Sequence, residues 1–235
     1  MYKKLSIIIP VFNEEKTIAK LLQKVHEVEL AGGLEKEIII INDGSSDNTL
    51  LEINDYKALN SKCKLISNDQ NRGKGASVQL ALPYTTGDLV VIQDGDHEYD
   101  PAELNLLLDP FLKNHADVVY GSRFLGGKPT RKLYFFHSLG NGFLTFVSNL
   151  FNNLNLTDME CCYKMFRKDM LCSIDLTEKR FGFEPEVTAK ISKIKGVRIY
   201  EVGVSYYGRT YADGKKIRWK DGFRALYVIF RYGLG

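Results

Sequence analysis

Five short runs of β-branched and other apolar residues punctuate the first half of the chain. LSIIIPV, EIIIIND, CKLIS, DLVVIQD and ADVVYGS are each of strand length. Between the first two, Ile18, Leu21, Leu22 and Val25 return at helical spacing, with Asn13 placed to cap a helix and Glu14 and Glu15 in its first turn. GKGASVQLAL opens a second helix, and Pro101 begins a third that runs through Leu108. Uninterrupted apolar strands alternating with helices predict an α/β domain with a mainly parallel, Rossmann-like sheet covered on both faces. The second half is less regular. Its pattern predicts a helix over residues 139–150, a strand near CCYKMFR, a helix over 185–195, a strand VRIYEVGV and a last helix starting near Ile217. No repeat or low-complexity linker interrupts the chain, so residues 1–235 are expected to form one domain.

Composition changes this picture little. The chain has 235 residues, 44% hydrophobic and 26% charged, an ordinary globular balance, and a net charge of +3 gives no reason to expect a nucleic-acid partner. The distribution of charge says more. Residues 120–135 carry four basic residues and no acid, and residues 205–235 carry seven basic against two acidic. Local basic surface of this kind suits phosphate or an anionic membrane face. The four cysteines include no CxxC pair and read as reduced thiols of a cytoplasmic protein. The first apolar run meets Pro10, Glu14 and Glu15 at once, so it reads as a strand and not as a leader. No run of about 18 apolar residues suggests a membrane span.

The chemistry gathers where strands end. In open parallel sheets ligands bind beyond the carboxyl ends of the strands, and NDGSSD, DGDHEYD and GSR follow the second, fourth and fifth strands. Asp94, Asp96, Glu98 and Asp100 crowd into seven residues. Such density raises carboxyl pKa values unless something positive sits among them. Asp94 and Asp96, separated by Gly95, have the hard oxygens and spacing of a Mg²⁺ or Mn²⁺ site that takes its remaining ligands from water and substrate phosphates, and Glu98 could add one oxygen. Asp100 reads as a plain helix cap. Asp43 could accept hydrogen bonds from a base or ribose, or simply shape a turn before an Asp47 cap. In NRGKGAS, Arg72 and Lys74 flank a glycine loop that enters a helix, an arrangement fitted to a diphosphate or, more plainly, to a helix start.

Taken in order, SIIIPVFNEEKTI, INDGSSDNT, NRGKGAS, QDGDHEYDP, GSRF, TDMECCYKMFR and GRTYADGKKIRWKDG resemble glycosyltransferase family 2, with its GT-A fold. They are most similar to its polyprenyl-phosphate glycosyltransferases, of the dolichyl-phosphate mannosyltransferase kind. The resemblance implies an inverting transfer of a sugar from a UDP- or GDP-sugar to a polyprenyl phosphate, with residues 1–123 serving the donor and 124–235 the acceptor. It implies that Pro10, Val11, Phe12 and Glu14 line the nucleotide pocket with Asp43, Arg72, Lys74 and Asp94, and that Asp94, Asp96 and Glu98 hold the metal, although the family often has Gln at the last position. Arg123, Arg131 and Arg209 fall where that branch contacts the acceptor phosphate. Asp96, Arg123, Arg209 and Asp158 are then the catalytic candidates. Asp158 is the general base in the alternative reading, a member acting on a saccharide or other hydroxyl; a phosphate acceptor is already ionised and needs no base. A nucleotide-binding or membrane-docking protein without catalysis is a third reading, and the intact D-x-D weighs against it.

The last helix bears on location. Trp219, Phe223, Leu226 and Phe230 form one stripe at helical spacing, with Lys216, Lys220, Arg224 and Arg231 beside it. That is the pattern of a helix lying in a membrane interface, and equally of a helix packed on a core. Two interfacial helices, over residues 135–154 and 217–232, would place the protein peripherally at the cytoplasmic face of a membrane.

Overall fold

The computed structural model describes residues 2–60, 63–131, 134–210, 214, 216 and 219–234. Seven strands form one sheet: Lys4–Val11 (β1), Glu35–Asp43 (β2), Cys63–Asn68 (β3), Leu89–Ile92 (β4), Val118–Ser122 (β5), Lys164–Arg167 (β6) and Ile199–Gly203 (β7). The order across the sheet is β3-β2-β1-β4-β6-β5-β7. All pairings are parallel except those of β6, which runs antiparallel to both β4 and β5. The reversed strand has a consequence for the site. The carboxyl ends of β1, β2, β4, β5 and β7 share one edge, and the antiparallel β6 enters the sheet at that same edge. Ile92 pairs with Lys164, and Tyr120 also pairs with Lys164. The segment that precedes β6, with Asp158 to Tyr163, therefore lies beside the loops that follow β4 and β5.

Eight helices are described: Ile18–Glu27 (α1), Thr49–Leu59 (α2), Lys74–Ala81 (α3), Leu104–Leu112 (α4), Phe135–Asn152 (α5), Lys168–Cys172 (α6), Phe183–Ser192 (α7) and Trp219–Gly233 (α8). The strands are apolar without interruption because both faces are covered. Leu5, Ile7, Ile9 and Val91 pack with Ile18, Leu21, Leu22 and Val25 of α1 and Leu104, Leu107 and Leu108 of α4. Ile8, Val90 and Ile92 pack on the opposite face with Val78 of α3, Val187 and Ile191 of α7 and Ile229 of α8. Each fully buried aliphatic side chain contributes roughly 1.5–3 kcal/mol.

Local expectations need three corrections. Asn13 does not cap α1, which begins only at Ile18; Asn13 has φ 50° and bonds to Ser46 across the site, with Ser46 N donating to its Oδ1 at 2.8 Å. The helix expected from Pro101 does run through Leu108 and on to Leu112, but its first turn, Pro101–Glu103, is 3₁₀ and α4 begins only at Leu104; Asp100 caps it, accepting from Ala102 N at 3.2 Å. Cys161 and Cys162 precede β6 instead of lying in it. All four cysteines are unpaired. The expected start of the last helix at Ile217 lies outside the described residues.

Candidate active site

The strand ends deliver the acidic cluster as a set. β1 runs into Phe12 and Glu14, β4 into Gln93 and the Asp94–Asp96–Glu98 loop, and β7 into the segment that ends at Arg209. Gly95 lets the loop lie against β1, since a Cβ there would meet the carbonyl of Pro10 at 3.1 Å. The cluster does contain a cation, and it is the protein's own. Arg209 Nη1 donates to both oxygens of Glu14 at 3.0 Å, Nη2 donates to Asp96, and Nε stands 3.7 Å from Glu98. Lys216 Nζ adds a contact to Glu14 at 2.6 Å and donates to the carbonyl of Phe12. Burial, and then the neighbouring Asp94, push the Asp96 carboxyl up to about 7. Among the described residues no group of three His, Cys, Asp or Glu side chains is already arranged around a metal position. The donor chemistry nevertheless fits a hard divalent cation: Glu14 and Asp96 are buried, Asp94 and Glu98 half-buried, and the hard carboxylate oxygens of Glu14, Asp96 and Glu98 already converge on one positive group, Arg209.

Asp94 itself faces Lys74, whose Nζ lies 2.6 Å from Asp94 and 3.2 Å from Glu184. Burial opposes ionisation of Asp94, but the ammonium beside it outweighs burial and holds the carboxyl below its ordinary range. Glu184, in the first turn of α7, escaped the sequence reading, which began that helix one residue later. Its signal was an acid in the first turn of a helix in which eight of ten residues are buried. Asp43 ties down the NRGKG loop: its carboxylate accepts from Asn68 Nδ2 at 2.8 Å, Arg72 N at 2.9 Å and Gly73 N at 2.7 Å. The turn after Asp43 requires glycine, because Gly44 has φ +68° and a Cβ there would stand 2.5 Å from the Gln70 backbone. Arg72 is exposed at the mouth of this loop. Pro10 and Phe12 are half-buried, and Val11 is buried.

The three arginines gather around one segment. Arg131 Nη1 donates to the carbonyl of Gly208 at 3.0 Å, the Arg123 guanidinium lies 5.2 Å from the Tyr206 ring centre, and Arg209 follows directly. Glu98 holds that segment, accepting from Tyr206 Oη at 3.2 Å and from Arg209 N at 2.8 Å. Arg123 is a fork on Asp158, with Nε to Oδ2 and Nη2 to Oδ1 both at 2.7 Å. Asn141 of α5 donates to Asp158 Oδ1 at 2.9 Å. Burial would raise the wholly buried Asp158, yet Arg123 overrides it and keeps the carboxyl low. Removing one partner of a buried ion pair strands the other charge. Arg123→Ala is therefore expected to lose about 3–5 kcal/mol of stability, read as a fall in the thermal midpoint of about 10 °C or more.

Glu160 is the opposite case. Burial, with Glu184 as the next contributor, pushes its carboxyl up to about 8, and its Oε1 has no hydrogen-bond partner. A folded-state value above the unfolded one means that the fold prefers the protonated acid. Stability is fully present below the unfolded value of 4.5 and is lost as pH rises toward 8. Glu160→Gln, which mimics the protonated form, is expected to match wild type near pH 4.5 and to exceed it by roughly 3 kcal/mol at pH 7. Melting curves across that range check the divergence.

A family model described as glycosyl transferase family 2 matches residues 6–174. The chain belongs to glycosyltransferase family 2. Among curated relatives it is similar to the dodecaprenyl-phosphate galacturonate synthase of Rhizobium johnstonii, 23% identical over 212 residues, covering 90% of this chain and 61% of that protein. It is also similar to the UDP-N-acetylglucosamine–dolichyl-phosphate N-acetylglucosaminyltransferase of Methanococcus voltae, 26% identical over 250 aligned residues, covering 99% and 97% of the two. This chain thus spans about three fifths of the length of the Rhizobium relative. In shape it matches the glucosyl-3-phosphoglycerate synthase of Mycobacterium tuberculosis, solved with Mn²⁺, UDP and phosphoglyceric acid, with TM-score 0.74, 19% identity and coverage of 98% of this chain and 78% of that one. The fold is GT-A.

One flank of this family 2 protein is strongly apolar. Along α5, Phe135, Phe136, Leu139, Phe143, Phe146 and Leu150 all point outward, Phe136 at 81% exposure. α8 packs beside it, with the Phe151 and Phe230 rings 4.9 Å apart. The stripe expected on α8 divides between two surroundings. Ala225, Val228 and Ile229 face the core, Leu226 packs against the core edge, and Trp219, Phe223 and Phe230 remain exposed. The basic residues beside the stripe are not all free to meet a membrane, which corrects the sequence reading. Lys216 turns to Glu14, and Arg224 pairs with Glu178 at 2.6 Å. Among the described residues no helix is long and apolar enough to cross a membrane.

Proposed function

We propose that this glycosyltransferase transfers one sugar, with inversion, from a UDP- or GDP-sugar to a polyprenyl phosphate, docked peripherally at the cytoplasmic face of a membrane. The observation that carries the reading is the apolar face of α5 and α8 beside the arginine-rich segment: Asn141, on α5, touches the Asp158 that Arg123 holds. A phosphate headgroup reaching Arg123, Arg131 and Arg209 would leave its lipid chain against that face. The two relatives named for prenyl-phosphate acceptors support the same acceptor class. Donor recognition falls to Pro10, Val11, Phe12, Glu14 and Asp43, with Arg72 and Lys74 near the diphosphate. Asp94, Asp96 and Glu98 would hold Mg²⁺ or Mn²⁺, which when bound neutralises charge on the departing nucleoside diphosphate. Arg209 would orient the acceptor oxygen, since a guanidinium fork matches two phosphate oxygens, and Arg123, whose Nε and Nη2 are held by Asp158, would add positive charge and its remaining N–H groups beside it. The alternative with Asp158 as base to a hydroxyl acceptor is disfavoured by its surroundings: the carboxylate is wholly buried and both its oxygens are taken, Oδ2 by Arg123 N and Nε and Oδ1 by Arg123 Nη2 and Asn141 Nδ2, which leaves no free oxygen facing an acceptor hydroxyl.

The test is incubation with Mn²⁺, radiolabelled UDP- and GDP-sugars and either a polyprenyl phosphate or a soluble phosphorylated acceptor. Label extracted into organic solvent is expected with the lipid, lost in EDTA and restored by added Mn²⁺. Label transferred only to the soluble acceptor would overturn the lipid reading, and full activity in EDTA would overturn the metal.

A further inference from the structure

Arg209 has two roles that its side chain cannot fill at once. In the proposed reaction it meets the acceptor phosphate, but in the structure its guanidinium is spread over Glu14, Asp96 and Glu98. The embrace is extensive and largely out of water, with only 17% of the arginine side chain exposed. It is also anchored: the Arg209 backbone N–H donates to Glu98 Oε1 at 2.8 Å, and Tyr207 N donates to the Glu98 carbonyl at 2.9 Å. Asp96 and Glu98 belong to the D-x-D loop, so the segment that carries the arginine is fastened to the loop that would carry the metal. A divalent ion held by these carboxylates would stand against the guanidinium that now occupies them, so the two cations oppose each other at the same oxygens.

We propose that Arg209 is a built-in placeholder for the divalent cation: it holds the Glu14, Asp96 and Glu98 carboxylates together until metal and nucleotide take them over, and only then is its guanidinium free for the acceptor phosphate. The second half of this rests on the reading of Arg209 as an acceptor-phosphate residue; the first half does not. Without a cation these carboxylates repel one another, and Arg209 relieves that repulsion. The same contact weakens metal affinity by the fraction of time that the arginine occupies the site. Binding becomes ordered, donor first and acceptor second, because the acceptor's cation is released by the donor's arrival. Lys216, on Glu14 and the Phe12 carbonyl, reinforces the closed arrangement from the same part of the chain.

The decisive measurement is Mn²⁺ binding by electron paramagnetic resonance of the free ion, without nucleotide, on the intact chain. Arg209→Gln is expected to bind Mn²⁺ more tightly by about tenfold or more, since the competing ligand is gone. Lys24→Gln removes one positive charge whose partner is Asp100, outside these contacts. It should change affinity by less than about twofold, the long-range charge effect alone. Arg209→Lys, which keeps the charge but reaches fewer carboxylates, should fall between the two and serves if the glutamine variant does not fold. Mn²⁺ binding that is unchanged or weaker in the folded Arg209 variants overturns the placeholder. A second arm titrates a short, water-soluble prenyl phosphate into wild type with and without Mn²⁺ and UDP or GDP. Binding tighter by about tenfold or more in the loaded protein is expected, and equal binding overturns the ordering. Tightened Mn²⁺ binding in Arg209→Gln with no prenyl-phosphate binding in either state would keep the placeholder and sink the acceptor reading instead.

Discussion

Asp96→Asn is expected to abolish sugar transfer while leaving the fold intact. Asp96 is buried, meets Arg209, and accepts from Glu98 N at 3.0 Å, so an amide can keep the backbone contact while losing the charge. Its carboxyl is already pushed up to about 7 by burial and then by Asp94, so the fold gains little from its ionised form. A neutral side chain removes like-charge repulsion as well as the contact with Arg209, and the thermal midpoint should stay within about 3 °C of wild type, the shift expected from about 1 kcal/mol. Catalysis has no such compensation. If Asp96 holds the cation that neutralises the leaving group, its loss removes several kcal/mol of transition-state stabilisation, about a thousandfold or more in kcat. Steady-state kinetics beside a melting curve read both halves. Activity within about tenfold of wild type would remove Asp96 from the chemistry.

The second large effect concerns the membrane. The wild-type protein should sediment with liposomes containing anionic lipid, and Trp219→Ser/Phe223→Ser should bind them at least about tenfold more weakly, since each inserted aromatic side chain contributes about 1.5–3 kcal/mol. These residues are 71% and 67% exposed, so the double variant should melt as wild type does. Replacing Val228 or Ile229, which are fully buried on the same helix, should instead lower stability. Because Lys216 and Arg224 are engaged within the protein, high salt should release only part of the bound protein; Lys220, stacked over Trp219, remains on the exposed side of the helix. Wild type left wholly in the supernatant at low salt would refute docking and favour a soluble acceptor.

The strands and the carboxylate loops were legible in the chain because their signals are local. β-branched runs, a glycine between two aspartates at a strand end, and an Asp before Pro101 each act over a few residues, and Asp100 caps where its spacing said it would. The direction of β6 was not legible, since an apolar run reads the same in either sense and only its neighbours β4 and β5 orient it. The same limit applies to the last helix: its stripe was visible, but which side of it met solvent was decided by α5 and α7 packing against it. The deepest gap lies in the site. Sequence alone named Glu14, Asp96, Glu98 and Arg209 as separate functional candidates, and a positive charge among the acids was required by their repulsion. That the charge is Arg209, 195 residues from Glu14 and 113 from Asp96, follows only from β7 ending at the same sheet edge as β1 and β4. Ion pairing at such separation leaves no periodicity to read, because Coulomb attraction depends on distance in space and not along the chain. Glu184 behind Lys74 and Asn141 on Asp158 were hidden for the same reason. Sequence by itself determined which groups could do the chemistry; the tertiary structure decided which of them face each other.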